Sequence, residues 1–332
     1  MKNYLIKTLN AMALGLFSSL IIGLILKQIG DISGLTYLSQ IGRTAQLLMG
    51  PAIGASVAYS LGAAPLVIFA SLATGAIGAG SIKFEETSAI LSIGEPVGAF
   101  VAALIGAEIG RRVTGKTKVD IVLVPAVTII TGAAAGIFIS PFVAVIMKSL
   151  GEILNSATEL QPVPMGIVLA VLMGMILTLP ISSAALSIAL GLNGLAAGAA
   201  LVGCCCQMIG FAVISYPENK LSGLISQGLG TSMLQIPNII KNPLIWIPSI
   251  AASAVLGPVS TTIFKMKANS VGAGMGTSGL VGQFSTYAEM GNSGFLGIIL
   301  LHFLLPALIS YMVAVIMRKK GYIKTGDMKL ND

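Results

Sequence analysis

Apolar positions along this chain run in blocks far longer than a soluble core element needs, and the charged positions fall between the blocks. Residues 44–82, 121–147, 160–217 and 290–317 hold no Asp, Glu, Lys or Arg. Each exceeds the roughly 20 residues that cross a bilayer as a helix, and 160–217 has the length for two crossings. The pattern predicts a first span over 11–26 and a polar loop over 27–43. Two spans share 45–80 and divide near Gly62-Ala63-Ala64-Pro65. A loop with Lys83, Glu85 and Glu86 leads to span four at 89–110, and a basic loop at 111–120 leads to span five at 121–147. An acidic loop over 149–163 follows. Spans six and seven occupy 165–190 and 194–215, on either side of a Gly191-Leu192-Asn193 turn. Residues 221–240 form a shorter apolar segment, and further spans lie at 243–264 and 294–317. If 221–240 crosses the membrane and the Gly-rich stretch 268–290 does not, the count is ten. The expected fold class is therefore all-α integral membrane, with about ten transmembrane helices and one or two re-entrant hairpins. It forms a single polytopic domain over 1–332, closed by a short cytoplasmic basic tail at 318–332.

Composition agrees. Charged residues make up 9% of the chain, against roughly 25% in soluble domains; so few charges cannot cover a soluble surface of this size. The net charge of +7 reads as membrane topology rather than nucleic-acid binding. With ten spans, twelve of the nineteen basic residues fall on the side of both termini. Under the positive-inside rule that side is cytoplasmic, and the expected location is a bacterial cytoplasmic membrane. Met1 to Lys7 is short and basic, and with the apolar run after it is read as the start of the first membrane helix rather than a cleaved signal. Cys204-Cys205-Cys206 lies inside an apolar segment and is read as small, soft packing residues. Trp246 sits near a span end, the usual place of an interfacial anchor.

Glycine is placed unevenly. Thr74-Gly75-Ala76 and Thr131-Gly132-Ala133 open two small-residue runs of the kind that let helix backbones approach in lipid. A sharper echo is Gly228-Leu229-Gly230-Thr231-Ser232-Met233-Leu234 against Gly274-Met275-Gly276-Thr277-Ser278-Gly279-Leu280. Both copies of Gly-x-Gly-Thr-Ser-x-Leu lie in apolar segments full of helix breakers. Broken backbone at membrane depth is tolerated only inside protein or beside a wet cavity, and transporters build sites from such discontinuous helices. Gln227, Gln235 and Asn238 flank the first copy; Gln283, Ser285, Thr286, Glu289 and Asn292 follow the second. Neutral amides and hydroxyls supply both donors and acceptors, as a sugar-like solute requires.

Two acidic residues fall within span four. Glu108 stands four residues before Arg112, which places both on one helix face as an ion pair. Glu95 lies in Ser92-Ile93-Gly94-Glu95-Pro96 with apolar neighbours. Proline suits the first position of a helix, so the helix is expected to break at Gly94 with Glu95 at its N-terminus, where the dipole favours an anion. A carboxylate at depth costs at least about 2.5 kcal/mol and usually faces a cavity. Glu95 is thus a candidate to accept solute hydroxyls or a coupling proton. His302, the only histidine, lies inside the last span as a helix-packing residue or a relay.

Leu234-Gln235-Ile236-Pro237-Asn238, Lys241-Asn242-Pro243, Leu256-Gly257-Pro258 and Gly272 through Leu280 together resemble the small, free-standing membrane subunits related to the IIC component of the sugar phosphotransferase system, the perfringolysin-regulator-like group among them. The resemblance implies an IIC-like transporter fold of ten helices with re-entrant hairpins, a homodimer, and a transport domain moving against a dimerisation domain. It also implies a membrane Glu that holds the sugar, for which Glu95 is the match; it assigns no role to His302. A phosphorylated cytoplasmic domain is expected on a separate phosphotransferase subunit. No phosphate-binding loop, nucleophile–base pair or metal cluster points to an enzyme or a cofactor.

The expected function is permease-type transport of a small polar solute, a sugar or sugar-like compound, by an elevator-like movement. Its expected substrate-binding residues are Glu95, Gly230, Thr231, Ser232, Gln235, Gly276, Thr277, Ser278, Gln283 and Glu289. The alternative is a membrane sensor or regulator that keeps the fold without transport, its basic tail meeting a partner or anionic lipid.

Overall fold

The computed structural model describes residues 2–330; Met1 and the last two residues of the expected tail, Asn331 and Asp332, lie outside them. The chain divides into two compact units, Met1–Ile146 and Met147–Asp332. The described residues are helical apart from turns, loops and one short hairpin. Five helical stretches among them are long and apolar enough to cross a membrane: Tyr4–Asp31, Asp120–Ile139, Gly194–Ile214, Pro243–Thr262 and Ser278–Lys319. The protein is an all-α, multi-pass membrane protein.

In the first unit, α1 (Lys2–Leu16) passes through a π-helical turn at Phe17–Ile21 into α2 (Ile22–Ser33). The expected loop 27–43 is instead the end of α2 and a second helix, α3 (Thr36–Leu47). Its polar residues recur at helical spacing: Gly42 and Gln46 are buried while Tyr37, Gln40, Arg43 and Thr44 face outward. Gly42 lets α3 lie directly against the backbone of Gly23 and Lys27. α4 (Met49–Ser60) and α5 (Pro65–Ala79) divide where expected, at Gly62, whose φ is +69°, with Pro65 opening the second helix.

Residues 89–91 do not begin a span. They form β2 (Ala89–Leu91), paired antiparallel with β1 (Ile82–Phe84), Ile82 opposite Leu91, on an exposed hairpin. The helix starts later, as α6 (Pro96–Val113). The next helix, α7 (Asp120–Thr158), runs unbroken for 39 residues, so the expected acidic loop at 149–163 is helix down to Thr158. The two Thr-Gly-Ala runs face one another: Gly132 abuts the Thr74 side chain, and Gly136 abuts Gly78. Four residues separate the contacts on each helix, one turn apart.

The second unit continues from α7 into α8 (Pro162–Thr178), α9 (Ser183–Ala189) and α10 (Gly194–Ile214). The helix α10 is buried without a break from Ala197 to Met208. Its sequence is apolar or small on every face, the signature of a helix surrounded by protein. It packs against α8, α13 (Ile247–Thr262) and α17 (Leu305–Lys319). Glycines set these distances: a Cβ added to Gly166 of α8 would lie 2.7 Å from the Gly257 carbonyl of α13. Between α10 and α13 the chain forms α11 (Tyr216–Ile225), a π-helical turn at Ser226–Gly230, a 3-10 turn at Ser232–Gln235 and α12 (Ile236–Lys241). After α13 come α14 (Ser270–Ala273), α15 (Val281–Met290) and α16 (Phe295–Ile299), then a π-helical turn at Leu300–Leu304 leading into α17.

Candidate functional site

Three segments of the second unit break their helices for local, readable reasons. The first lies between α8 and α9. Leu179 is extended with ψ 159°, as the residue before Pro180 is pushed to be. The second is the first Gly-x-Gly-Thr-Ser copy, where Thr231 turns extended (φ −159°) and its hydroxyl accepts the N–H of Met233 at 3.1 Å. The third is the second copy, where Gly276, Gly279 and Leu280 all have φ between 51° and 60°. Glycine takes that conformation freely, whereas Leu280 takes it under strain.

The three segments are bonded to each other. Thr277 Oγ1 donates to the Gly228 carbonyl and Ser278 Oγ to the Gly230 carbonyl. Hydroxyls of the second copy therefore satisfy main-chain acceptors that the first copy's broken helix leaves open. Thr178 Oγ1 and Ser232 Oγ lie 2.8 Å apart. Ser183 Oγ donates to the Gly274 carbonyl at 2.6 Å, and Ser187 Oγ to the Ser270 carbonyl at 2.7 Å. One face of α10 backs this arrangement. Met208 Sδ lies 3.5 Å from Thr277 Oγ1 and 3.6 Å from Ser278 Oγ. Gly276 sits so close to Cys204 that a Cβ would fall 3.0 Å from its carbonyl carbon. The three cysteines are free and buried.

Two polar groups flank the junction. At one side Gln207 Oε1 accepts the Trp246 indole N–H at 2.8 Å and the Thr178 hydroxyl at 3.4 Å. At the other, Gln283 Nε2 contacts His302 Nδ1 at 3.2 Å and Cys205 Sγ at 3.6 Å. His302 sits inside a π-helical turn, a local widening frequent at functional positions. Gln207 Nε2, Gln283 Oε1, Thr286 Oγ1 and His302 Nε2 are buried and make no hydrogen bond among the described residues. A buried polar atom in that condition costs about 1–3 kcal/mol, so those on Gln207 and Gln283, the two residues that flank the junction, are a reserve of hydrogen-bonding capacity beside it. The donors and acceptors here are amides, hydroxyls, carbonyls and an imidazole, a set suited to an uncharged polar solute.

A family model described as phosphotransferase system, EIIC, matches residues 6–330. The chain belongs to that family. No curated protein and no solved structure matches the chain. EIIC proteins are the membrane permease components of phosphotransferase transport; they work with other components of that system in a lipid membrane and are not its phosphoryl-transfer domains.

Within this EIIC protein the expected residues are distributed unevenly. Gly230, Thr231, Ser232, Gly276, Thr277 and Ser278 meet at the junction, and Gln283 flanks it. Gln235 is buried but is engaged elsewhere, donating to Gln227 Oε1 and to the Met328 carbonyl. Glu289 is exposed on α15. Glu95 lies in the first unit. It occupies the N-cap of α6, with Pro96 at the first helical position and Gly94 at φ +78°, and its N–H donates to the Ala79 carbonyl at 2.9 Å. Glu108 lies close to two arginines, at 3.1 Å from Arg111 and 3.9 Å from the expected partner Arg112. Thr178, Ser183, Ser187, Gln207 and Trp246 were not among the expected site residues. Thr178-Leu179-Pro180-Ile181-Ser182-Ser183 did carry a signal, a proline and paired serines inside an apolar run.

Proposed function

We propose that this EIIC protein is a permease for a small uncharged polar solute, a sugar or sugar-like compound, bound at the junction of the two Gly-x-Gly-Thr-Ser segments. The observation that carries the reading is the direct bonding of the two copies, Thr277 and Ser278 to Gly228 and Gly230, beside buried polar atoms with hydrogen-bonding capacity to spare. A solute hydroxyl that fills one of those valences recovers the desolvation cost the protein carries without it. The solute passes by an elevator-like alternating-access movement. The protein acts as a homodimer in a bacterial cytoplasmic membrane with both termini inside, and a separate cytoplasmic phosphotransferase subunit phosphorylates the solute. Glu95, in the other unit, is a separate candidate as a hydroxyl or proton acceptor and is tested by itself.

The test is a thermal-shift panel on the purified protein with sugars, sugar alcohols, sugar phosphates and small carboxylates, followed by uptake of any hit into proteoliposomes. A ligand of the folded state raises the melting point by mass action. A neutral sugar or sugar alcohol is expected to shift the protein, Thr277→Ala to lose the shift, and Glu95→Gln to lower uptake. A panel without a shift, or a shift that survives Thr277→Ala, sinks the site. Binding without uptake would favour the second reading, a sensor that keeps the EIIC fold. The bonding of Gln235 to both Gln227 and the C-terminal segment, which ties one motif copy to the end of the chain, favours that reading.

A further inference from the structure

The expected basic tail is not a free tail. After α17 ends at Lys319 the chain turns at Gly321, whose φ is +75°, and lies back across α11 and α12. It is held there mainly by its main chain. Glu218 accepts the Met328 N–H at 2.8 Å. Asn219 accepts the Leu330 N–H and donates to the Met328 carbonyl, both at 2.8 Å. Taking one N–H and one carbonyl from residues two apart is how a neighbouring β-strand grips a peptide. Gln235 donates to the Met328 carbonyl at 3.0 Å, Asn238 to the Lys329 carbonyl at 2.9 Å and Asn242 to the Tyr322 carbonyl at 3.0 Å. Two side chains plug into the protein, Ile323 and Met328, which are buried with Phe211, Ile214, Ile239 and Ile245. Lys320, Lys324 and Lys329 remain exposed.

This bed is wired to the first motif copy. The Gln235 amide that holds Met328 also donates to Gln227 Oε1 at 2.8 Å. Gln227 stands in the π-helical turn Ser226–Gly230, whose Gly228 and Gly230 carbonyls receive Thr277 and Ser278. The bed also contains a strained residue. Lys220, directly after Glu218 and Asn219, has φ 51° and ψ −147°, a region that non-glycine residues occupy only when their surroundings force them. Strain of this kind persists only while the surrounding structure enforces it, and the bonds of Glu218 and Asn219 to the C-terminal segment are part of that surrounding.

We propose that residues 320–330 are a cis-acting strap. Docked, they fix residues 226–241 in the broken conformation that presents Gly228 and Gly230. Released, they leave five polar side chains without their main-chain partners, and residues 226–241 loosen while α8, α10 and α13 stay in place. The proposal concerns order within this segment and stands apart from whether a solute binds there.

The experiment is amide hydrogen exchange on the full chain in lipid nanodiscs, comparing the natural protein with Asn219→Ala and Met328→Asp. Asn219 bonds the strap and does not touch the motif, so its variant tests the coupling gently if Met328→Asp fails to fold. In both variants, exchange over 226–241 is expected to rise about tenfold or more alongside that of 322–330, with α8 and α13 unchanged. A free peptide with the sequence of residues 320–332 is expected to restore protection to Met328→Asp. Fast exchange at 322–330 with 226–241 still protected would overturn the coupling. Acceleration of α8 and α13 together with 226–241 would overturn it equally, by showing the tail to be an ordinary part of the core. So would failure of the free peptide to restore protection.

Discussion

Lys220 holds a backbone conformation that suits glycine, with its side chain exposed. Replacing it with glycine removes strain and little packing, so Lys220→Gly is expected to raise stability by about 1 kcal/mol, read as a higher melting temperature; an unchanged or lower one would show the strain to be absent. The two motif copies look alike in sequence and differ in what they demand. A Cβ on Gly228 would meet its nearest neighbour, Ala212 Cβ, at 3.5 Å, an ordinary contact. Gly276 has φ +56° and would push a Cβ to 2.9 Å from Met208 Sδ. Gly228→Ala is therefore expected to fold as well as the natural protein, and Gly276→Ala to lose about 1–3 kcal/mol, measured by chemical or thermal unfolding in detergent. Equal losses in the two variants would refute the difference. Glu95 shows what a single residue's neighbours make legible. Gly94 and Pro96 are local breakers, so its place at the start of a helix could be read from three consecutive letters. Gln207 has no such neighbours; its partners Thr178 and Trp246 lie 29 and 39 residues away.

At the scale of elements, periodicity located the apolar helices but not where helix gives way to something else. The run 27–43 reads as a loop on its polarity alone, although α3 within it has helical spacing, and the burial of one side of α3 depends on Gly42 meeting α2. Ala89-Ile90-Leu91 is as apolar as a membrane helix, so the apolar pattern starts span four too early. Only its pairing with Ile82–Phe84 makes it a strand, and such pairing leaves no period-two signal in three residues. The facing of the two Thr-Gly-Ala runs was invisible for a different reason, since close packing demands small residues without naming their partner. It now yields a sharp expectation. Gly132→Val inserts a branched side chain where a Cβ already meets Ala102 O at 2.8 Å. Overpacking of this kind costs about 1–3 kcal/mol or more, so the variant is expected to lower the yield and melting temperature of folded protein, whereas Gly115→Val, in an open loop, is expected to lose only the φ-related part. Comparable damage from both would argue against the contact.

For the whole molecule, the absence of ionised side chains among the described groups that meet at the junction has a measurable effect. Neutral hydrogen bonds in a buried site are little affected by the ionic atmosphere. Solute affinity is therefore expected to change by less than roughly twofold between low and moderate salt, as titrated by calorimetry on the nanodisc-embedded protein. A steep salt dependence would point to a charged solute and away from a neutral sugar-like one. The membrane class and the family followed from properties spread along the entire chain, apolar block lengths and a match over residues 6–330. The docking of the C-terminal segment followed from neither. Its lysines mark it as a solvated tail, and most of the bonds that hold it are made by its main chain, which no side-chain pattern records.

That mode of holding constrains the segment in an unusual way. Amides and one carboxylate in the bed grip carbonyls, which every residue possesses, and N–H groups, which all but proline possess, so the identities of Lys324, Thr325 and Lys329 are nearly free to drift. The spacing from Ile323 to Met328 is not, because removing one residue moves the second plug and the four bonded main-chain groups of residues 328, 329 and 330 out of register together. Among relatives that share this bed, the end of the chain should vary in letters and hold constant in length.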